Sequence, residues 1–209
     1  SGSSRASGTR PLTSRAVSSS KRIGVLALAR PTFDVPYAEE VAAAAMATLG
    51  GLDAELTGDA TLLFDAESTE VALAHFEGVE LDALLLLQVS FTDSSMTEAI
   101  GARFDAPIII WSFPEARVGG RLRLNSFCGL NLAAYALIKA GSNFDYVHRY
   151  ADDEAAVADI EGLLAGLHAR LHAHEVLDVA LQPLVHPDQE IHGRPLKRRQ
   201  AAEPGTEER

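Results

Sequence analysis

Short, nearly unbroken apolar runs that alternate with alanine- and leucine-rich helical stretches predict an α/β fold, a doubly wound parallel sheet of about five strands with helices on both faces. Bulk composition agrees. The chain is 47% hydrophobic and 22% charged with a mean hydropathy of +0.05, the profile of a packed globular protein rather than a disordered one. Its 209 residues suffice for one well-buried core, given roughly 100 to 200 residues per domain.

The elements follow in order. Arg22 to Ala29 is an apolar run that stops at Arg30-Pro31-Thr32-Phe33-Asp34 and reads as a buried strand. Val35 to Leu49 is alanine-rich, carries Glu39 and Glu40 on its polar side and ends at Gly50-Gly51, the pattern of a helix with a glycine stop. Leu52 to Thr57 is a weaker strand, Ser68 to Phe76 a helix, Asp82 to Val89 a strongly apolar strand and Ser94 to Phe104 a helix. Pro107 to Ser112 forms the next strand, Gly119 and Gly120 mark a long loop, Leu130 to Ala140 is helical, and Phe144 to His148 is the last strand. Asp152 to about Val179 is one long helical stretch. Continuous apolar strands need cover on both faces, and right-handed crossovers put the helices there, so the expected arrangement is flavodoxin-like. The expected boundaries are a disordered N-terminal tail over 1–20, the α/β domain over 21–180, and a disordered tail over 181–209 that holds Lys197-Arg198-Arg199 and a Glu-rich end.

Charge and cysteine content narrow the function classes. The net charge is −11 and the basic residues gather near the termini, so the body of the domain repels a phosphate backbone and nucleic acid is excluded as a partner. Cys128 is the single cysteine; no intrachain disulfide or paired-cysteine metal site is possible, which fits a reducing, cytoplasmic setting. No run reaches the ~18 to 20 apolar residues of a membrane span, and the Ser-, Arg- and Gly-rich start lacks the apolar core of a signal peptide.

In an open parallel sheet, ligands bind beyond the carboxyl ends of the strands. Three segments there are polar and aromatic. Arg30 leaves the first strand into the rim, where its planar fork of donors suits hydroxyls or a carboxylate; the competing expectation is an ion pair with Asp34 that merely orders the loop. Gln88 to Ser95 sets Gln88, Ser90 and neighbouring hydroxyls around Phe91, a mixture suited to a polyhydroxylated ligand with the ring against an apolar sugar face. Helix capping accounts for Asp93 or Ser94 but for neither Gln88 nor Phe91. The third segment joins Trp111 to Glu115 with Asn125 to Asn131, which opens the fourth helix; Gly129 permits close backbone approach.

The remaining chemistry-bearing residues point elsewhere. Cys128 has no convincing local base and is expected to be a small buried residue. His168 and His172 share a helix face and His174 lies nearby, yet no HExxH pattern is present and a solvated helix face is the expectation. Phosphate-loop and dinucleotide fingerprints are absent, since Gly24 stands alone inside the first strand. The expected substrate-binding set is therefore Arg30, Gln88, Ser90, Phe91, Trp111 and Asn125, with no catalytic and no metal-ligating residue in this chain.

Arg30-Pro31-Thr32-x-Asp34 after the first strand, Gln88 to Ser95 after the third, and Asn125-Ser-Phe-Cys-Gly-Leu-Asn131 together resemble the N-terminal domain of the L-fucose and L-arabinose isomerase superfamily, over about residues 21 to 165. The resemblance implies aldose–ketose interconversion through a manganese-type divalent metal held by acidic residues and a histidine in later domains, with the metal and acid/base groups moving a proton. It also implies that this domain helps close the sugar site of a neighbouring subunit in a homo-oligomer, with Arg30 and Phe91 as the carried-over contacts. The pattern is lost after about Arg170, which on this reading suggests a truncated chain. The expected function is thus the N-terminal domain of such a sugar isomerase, without a complete catalytic site of its own. Two other classes compete: a non-catalytic sugar-binding or regulatory module, and a fragment that docks on a full-length isomerase.

Overall fold

A computed structural model describes residues 20–181 apart from 105, 117 and 118. The expected tails over 1–20 and 181–209 fall almost wholly outside the described residues, as do the side chains of His168, His172 and His174. The sheet and its helices belong to the unit Ser1–Ala169; of the second unit, Arg170–Arg209, only helical residues up to Leu181 are described.

Five strands, β1 (Lys21–Leu28), β2 (Ala54–Leu63), β3 (Ala83–Gln88), β4 (Ile108–Ser112) and β5 (Phe144–His148), form one sheet. They alternate with α1 (Val35–Leu49), α2 (Ala66–Ala74), α3 (Ser95–Arg103), α4 (Ser126–Ala140) and α5 (Ala155–Leu181). All pairings are parallel and the strand order is β2-β1-β3-β4-β5, the flavodoxin-like order the apolar pattern predicts.

The reason lies in how the strands are covered. Every residue of β3 and β4 is buried, because helices lie on both faces. Ile23, Val25 and Ala27 of β1 pack with Ala38, Ala42, Ala45 and Leu49 of α1 and with Ile160 and Leu164 of α5. Leu26 and Leu28 point the other way, toward Leu73 of α2, Met96 and Ile100 of α3, and Leu130, Ala133 and Leu137 of α4. The two-residue period of the strand sorts β1 between two separate cores. Large-to-small changes in either core cost on the order of 2–5 kcal/mol.

Several element boundaries differ from the sequence expectation, and three of them have a visible cause. Helix α2 starts two residues early because Asp65 caps it, accepting from the Ser68 amide at 2.7 Å while the Ser68 hydroxyl accepts from the Asp65 amide. Helix α4 starts at Ser126 rather than Leu130, so the Ser-Phe-Cys-Gly run is its first turn. Strand β2 runs six residues past Thr57, since its register against β1 shifts between Val25 and Ala27 and lets the pairing resume at Leu62 and Leu63.

Gly58 makes that shift possible. Its φ is +112°, and a Cβ there would lie 2.2 Å from the Val25 carbonyl oxygen. Gly58→Ala is expected to lose about 1–3 kcal/mol, whereas Gly162→Ala, which meets nothing within 4 Å in α5, is expected to gain up to about 1 kcal/mol. Urea unfolding of both variants checks this; equal stability of the two would remove the assigned strain.

Candidate functional site

Because the chain passes from β1 outward to β2 and then crosses to the other side of β1 for β3, the order of winding reverses between β1 and β3. A crevice opens at such a switch point, beyond the carboxyl ends of the strands. The loops after β1, β3 and β4 meet there.

Backbone contacts fix the convergence. The Arg30 amide donates to the Ser90 hydroxyl at 2.9 Å, the Asp34 amide to the Arg123 carbonyl at 3.1 Å, and the Phe91 amide to the Leu124 carbonyl at 2.8 Å. Side chains then furnish the surface. The Arg30 guanidinium sits 5.9 Å from the Phe91 ring centroid and pairs with Asp93 at 3.2 Å, and Phe33 lies against Phe91 with centroids 6.0 Å apart. Arg123 pairs with Asp34 at 2.8 Å and lies over the Tyr37 ring at 3.7 Å.

Beneath this surface lies a polar underlayer. Gln88, Ser90, Thr92, Thr97, Ser112 and Ser126 are six of the seven buried polar residues among those described, and all but Thr97 of α3 sit at the ends of β3 and β4, in the β3 loop or at the start of α4. The Gln88 amide nitrogen donates to the Ser90 carbonyl at 2.7 Å and to the Thr92 hydroxyl at 3.0 Å. Ser126 donates to the Gln88 carbonyl and accepts from the Phe113 amide. A Cβ on Gly129 would lie 2.7 Å from the Gln88 amide nitrogen, so α4 reaches this layer only because that residue is glycine.

The expected site residues therefore divide. Arg30, Phe91 and Asn125 lie at the partly exposed rim. Gln88, Ser90 and Trp111 are fully buried and support it from below; Trp111 stacks on Phe113 and donates to the Arg149 carbonyl at 3.2 Å. The expected Arg30–Asp34 pair is replaced by two others. Asp34 caps α1, accepting from the Tyr37 amide at 3.3 Å, and this turns its second oxygen toward Arg123 while Arg30 turns toward the β3 loop. Of the two candidate caps of α3, Asp93 accepts from the Ser95 amide at 3.1 Å, while Ser94, the N-cap itself, makes no side-chain capping bond. Cys128, expected inside, is exposed, because Ser126 and Gly129 take the inward positions of that first turn.

Sequence reasoning passed over Glu115 and Arg123. The Glu115 carboxylate accepts the amides of Arg123, Leu124 and Asn125 at 3.0, 3.1 and 2.7 Å, gathering the approach to α4. Asn125 completes that bend in a left-handed conformation, φ 53°, which asparagine tolerates well. The available signal was the Asn immediately before a Ser-led helix. Two cavities flank these elements. One of about 410 Å³ is lined by Thr32, Phe33, Asp34, Arg121, Leu122 and Arg123. A larger one of about 880 Å³ opens along β1, β2 and α2, is lined by aliphatic side chains together with Asp59, Asp65, Glu67 and His75, and shares no residue with the three rim loops.

Ionisation follows the same contacts. The Arg123 guanidinium, aided by the Tyr37 amide, holds the Asp34 carboxyl below the usual carboxylate range. The Ser95 hydroxyl chiefly does so for Asp93, and burial pushes the Tyr37 phenol up. Burial also pushes the His148 imidazole down, although the Ser112 hydroxyl stands 2.8 Å from its Nδ1. Among the described residues no helix is long and apolar enough to cross a membrane.

The sheet order and the crevice define the class first: an α/β domain of the flavodoxin-like type whose candidate site sits at the β1/β3 switch point. Within that class the chain belongs to the fucose/sulfoquinovose isomerase N-terminal domain family, which matches residues 24–167. This bears out the resemblance read from the rim motifs. The chain is 31% identical over 128 residues to a sulfoquinovose isomerase of Priestia aryabhattai, covering 61% of this chain and 29% of that protein. It is 28% identical over 167 residues to a sulfoquinovose isomerase of Clostridium sp. (strain MSTE9), covering 78% of this chain and 36% of that protein. The chain thus spans about a third of the length of these relatives.

Because Asp34 is acidified relative to its ordinary value, its stabilising pair is fully present above a pH of about 4, the unfolded-state pKa, and is lost as pH falls through the lower folded-state pKa. Urea midpoints of the wild type and Asp34→Asn between pH 2 and 6 are expected to differ by a constant amount above about pH 4 and to converge below it. A gap independent of pH would remove the role assigned to the carboxylate charge.

Proposed function

We propose that this chain is the sugar-contacting N-terminal domain of an aldose–ketose isomerase, whose crevice between the β1, β3 and β4 loops closes one side of a substrate site. The observation that carries the reading is the meeting of Arg30, Phe33 and Phe91 over a fully buried polar layer. Two rings offer flat apolar surface to the C–H face of a sugar, and the guanidinium offers planar donors to its hydroxyls. Sulfoquinovose, named in the relatives, is an aldohexose with a sulfonate on its terminal carbon, and a sulfonated aldose is the substrate class we assign.

The domain's part is binding and orientation. Among the described residues no three His, Cys, Asp or Glu side chains are placed to hold a metal ion, and the manganese-type metal that the reading implies is assigned to the rest of the enzyme. Proton transfer is assigned to the portion of the relatives that this chain does not match. As an enzyme of sugar metabolism the assembly belongs in the cytoplasm.

Titration of the chain with a sulfonated aldohexose, fucose and arabinose is expected to give saturable heat for at least one, with Arg30→Ala weakening it about tenfold, as loss of a charged hydrogen bond predicts. No heat from any sugar would overturn the reading.

Subunit contact is the second part of the proposal, and an exposed apolar stripe supports it. Phe127, Tyr135 and Ile138 stand at i, i+8 and i+11 on the outer side of α4, 53%, 60% and 66% exposed, and the Phe127 ring lies 5.1 Å from that of His148 on the edge strand β5. Sedimentation is expected to show self-association that Ile138→Asp abolishes with no change in fold; a monomeric wild type would sink this assignment.

A further inference from the structure

We propose that the 410 Å³ cavity beside the crevice is an anion subsite, in which Arg121 holds the sulfonate of the substrate; this rests on the sugar reading above and names the group that the rim selects. Among the described residues three arginines border the rim, and two are engaged. Arg30 is paired with Asp93 and Arg123 with Asp34. Arg121 lines the cavity and makes no ion pair or hydrogen bond among the described residues. Its five N–H donors are thus free for a ligand.

The charge balance of the cavity selects the ligand. Of the residues lining the cavity, Arg121 and Arg123 are positive and Asp34 negative; Asp34, together with the Glu115 carboxylate on the Arg123 amide and the nearby Glu40, offsets Arg123 and leaves Arg121 as the positive group without a direct pair among the described residues. An unpaired guanidinium at a cavity wall within a strongly negative protein is where an anion is held rather than repelled. A sulfonate carries one charge and three acceptor oxygens, which a guanidinium fork and the Thr32 hydroxyl at the cavity wall suit. A phosphate monoester at neutral pH carries close to two, and the Asp34 carboxylate opposes the second. Phe33 and Leu122 supply the apolar part of the lining, against which a methylene next to the sulfonate packs.

The position agrees with the sugar contacts. Phe33 belongs both to the cavity and to the ring pair with Phe91, so a sugar stacked on Phe91 directs one end toward Arg121. Arg121 would then be a specificity-determining residue that ranks sulfonated above neutral aldoses.

The test is calorimetry on the full chain with four probes: a 6-deoxy-6-sulfo-aldohexose, the corresponding neutral 6-deoxy sugar, an aldohexose 6-phosphate, and methanesulfonate. The sulfonated sugar is expected to bind at least tenfold more tightly than the neutral one. Arg121→Gln should bring it down to the neutral sugar's affinity and leave that affinity unchanged, and Arg121→Lys should restore part of the difference. Circular dichroism confirms the fold of each variant. Equal binding of neutral and sulfonated sugars, or an Arg121→Gln variant that keeps the preference, overturns the subsite and leaves the sugar reading in place. Methanesulfonate bound as tightly as the sulfonated sugar supports the anion subsite and overturns the sugar reading. Tighter binding of the phosphate overturns the monoanion assignment, and no binding of any probe overturns both proposals.

Discussion

The buried amide of Gln88 is the joint on which the rim depends. It stands at the last paired rung of β3, opposite Leu28 of β1 and Ser112 of β4, where the sheet ends and the loops begin. Its side-chain nitrogen holds the Ser90–Thr92 turn, the backbone carbonyl of the same residue accepts from the Ser126 hydroxyl at the start of α4, and the side-chain flank fills the space that Gly129 leaves open. A buried amide must be hydrogen-bonded or it opposes folding. Satisfying the donor side of this one amide therefore fixes the path of the β3 loop, while its backbone carbonyl and its bulk set the approach of α4. Its oxygen has no protein partner, and neither has the Thr97 hydroxyl, so the layer is not fully satisfied by protein atoms.

This joint also explains which parts of the site were legible in the sequence. In a sheet covered on both faces, a residue still in register is inside whatever its polarity, so Gln88 and Trp111 could not reach the surface. Only residues beyond the last rung emerge, and Arg30 and Phe91 do. Type and order of residues announce a rim; the rung at which the strand stops decides who lines it. Ser90 lies past that rung but is taken by the Arg30 amide, a contact across sixty positions that no local pattern reveals. Asp34 and Arg123 are likewise separated by 89 positions, so their pairing waits on the topology.

The fold itself was more legible because its signals are local. The central strands are unbroken apolar runs, and Asp34, Gly50 and Gly141 punctuate the helices they border. Strand β2 was read short for a physical reason: at the sheet edge only part of it is covered, and Gly58-Asp59 interrupts the pattern before the apolar Leu62-Leu63 that closes the strand. Pairing with β1 extends it, and Gly58 absorbs the shift in register.

The three arginines of the rim show how one residue type serves three ends within a small surface. Arg123 is structural: with its guanidinium on the Tyr37 ring and its charge on Asp34, it ties the long β4 loop to the start of α1. Arg30 is held by its own backbone on Ser90 and leans between Asp93 and Phe91, half exposed, so it can exchange a weak surface ion pair for a ligand at little cost. Arg121 makes no ion pair or hydrogen bond among the described residues. The gain from a ligand anion is largest where no partner must first be displaced, because only the difference between the two states counts toward binding. On the proposed reading, affinity would concentrate on Arg121 and orientation on Arg30, while Arg123 ties the loop that carries Arg121 to the start of α1 through Asp34.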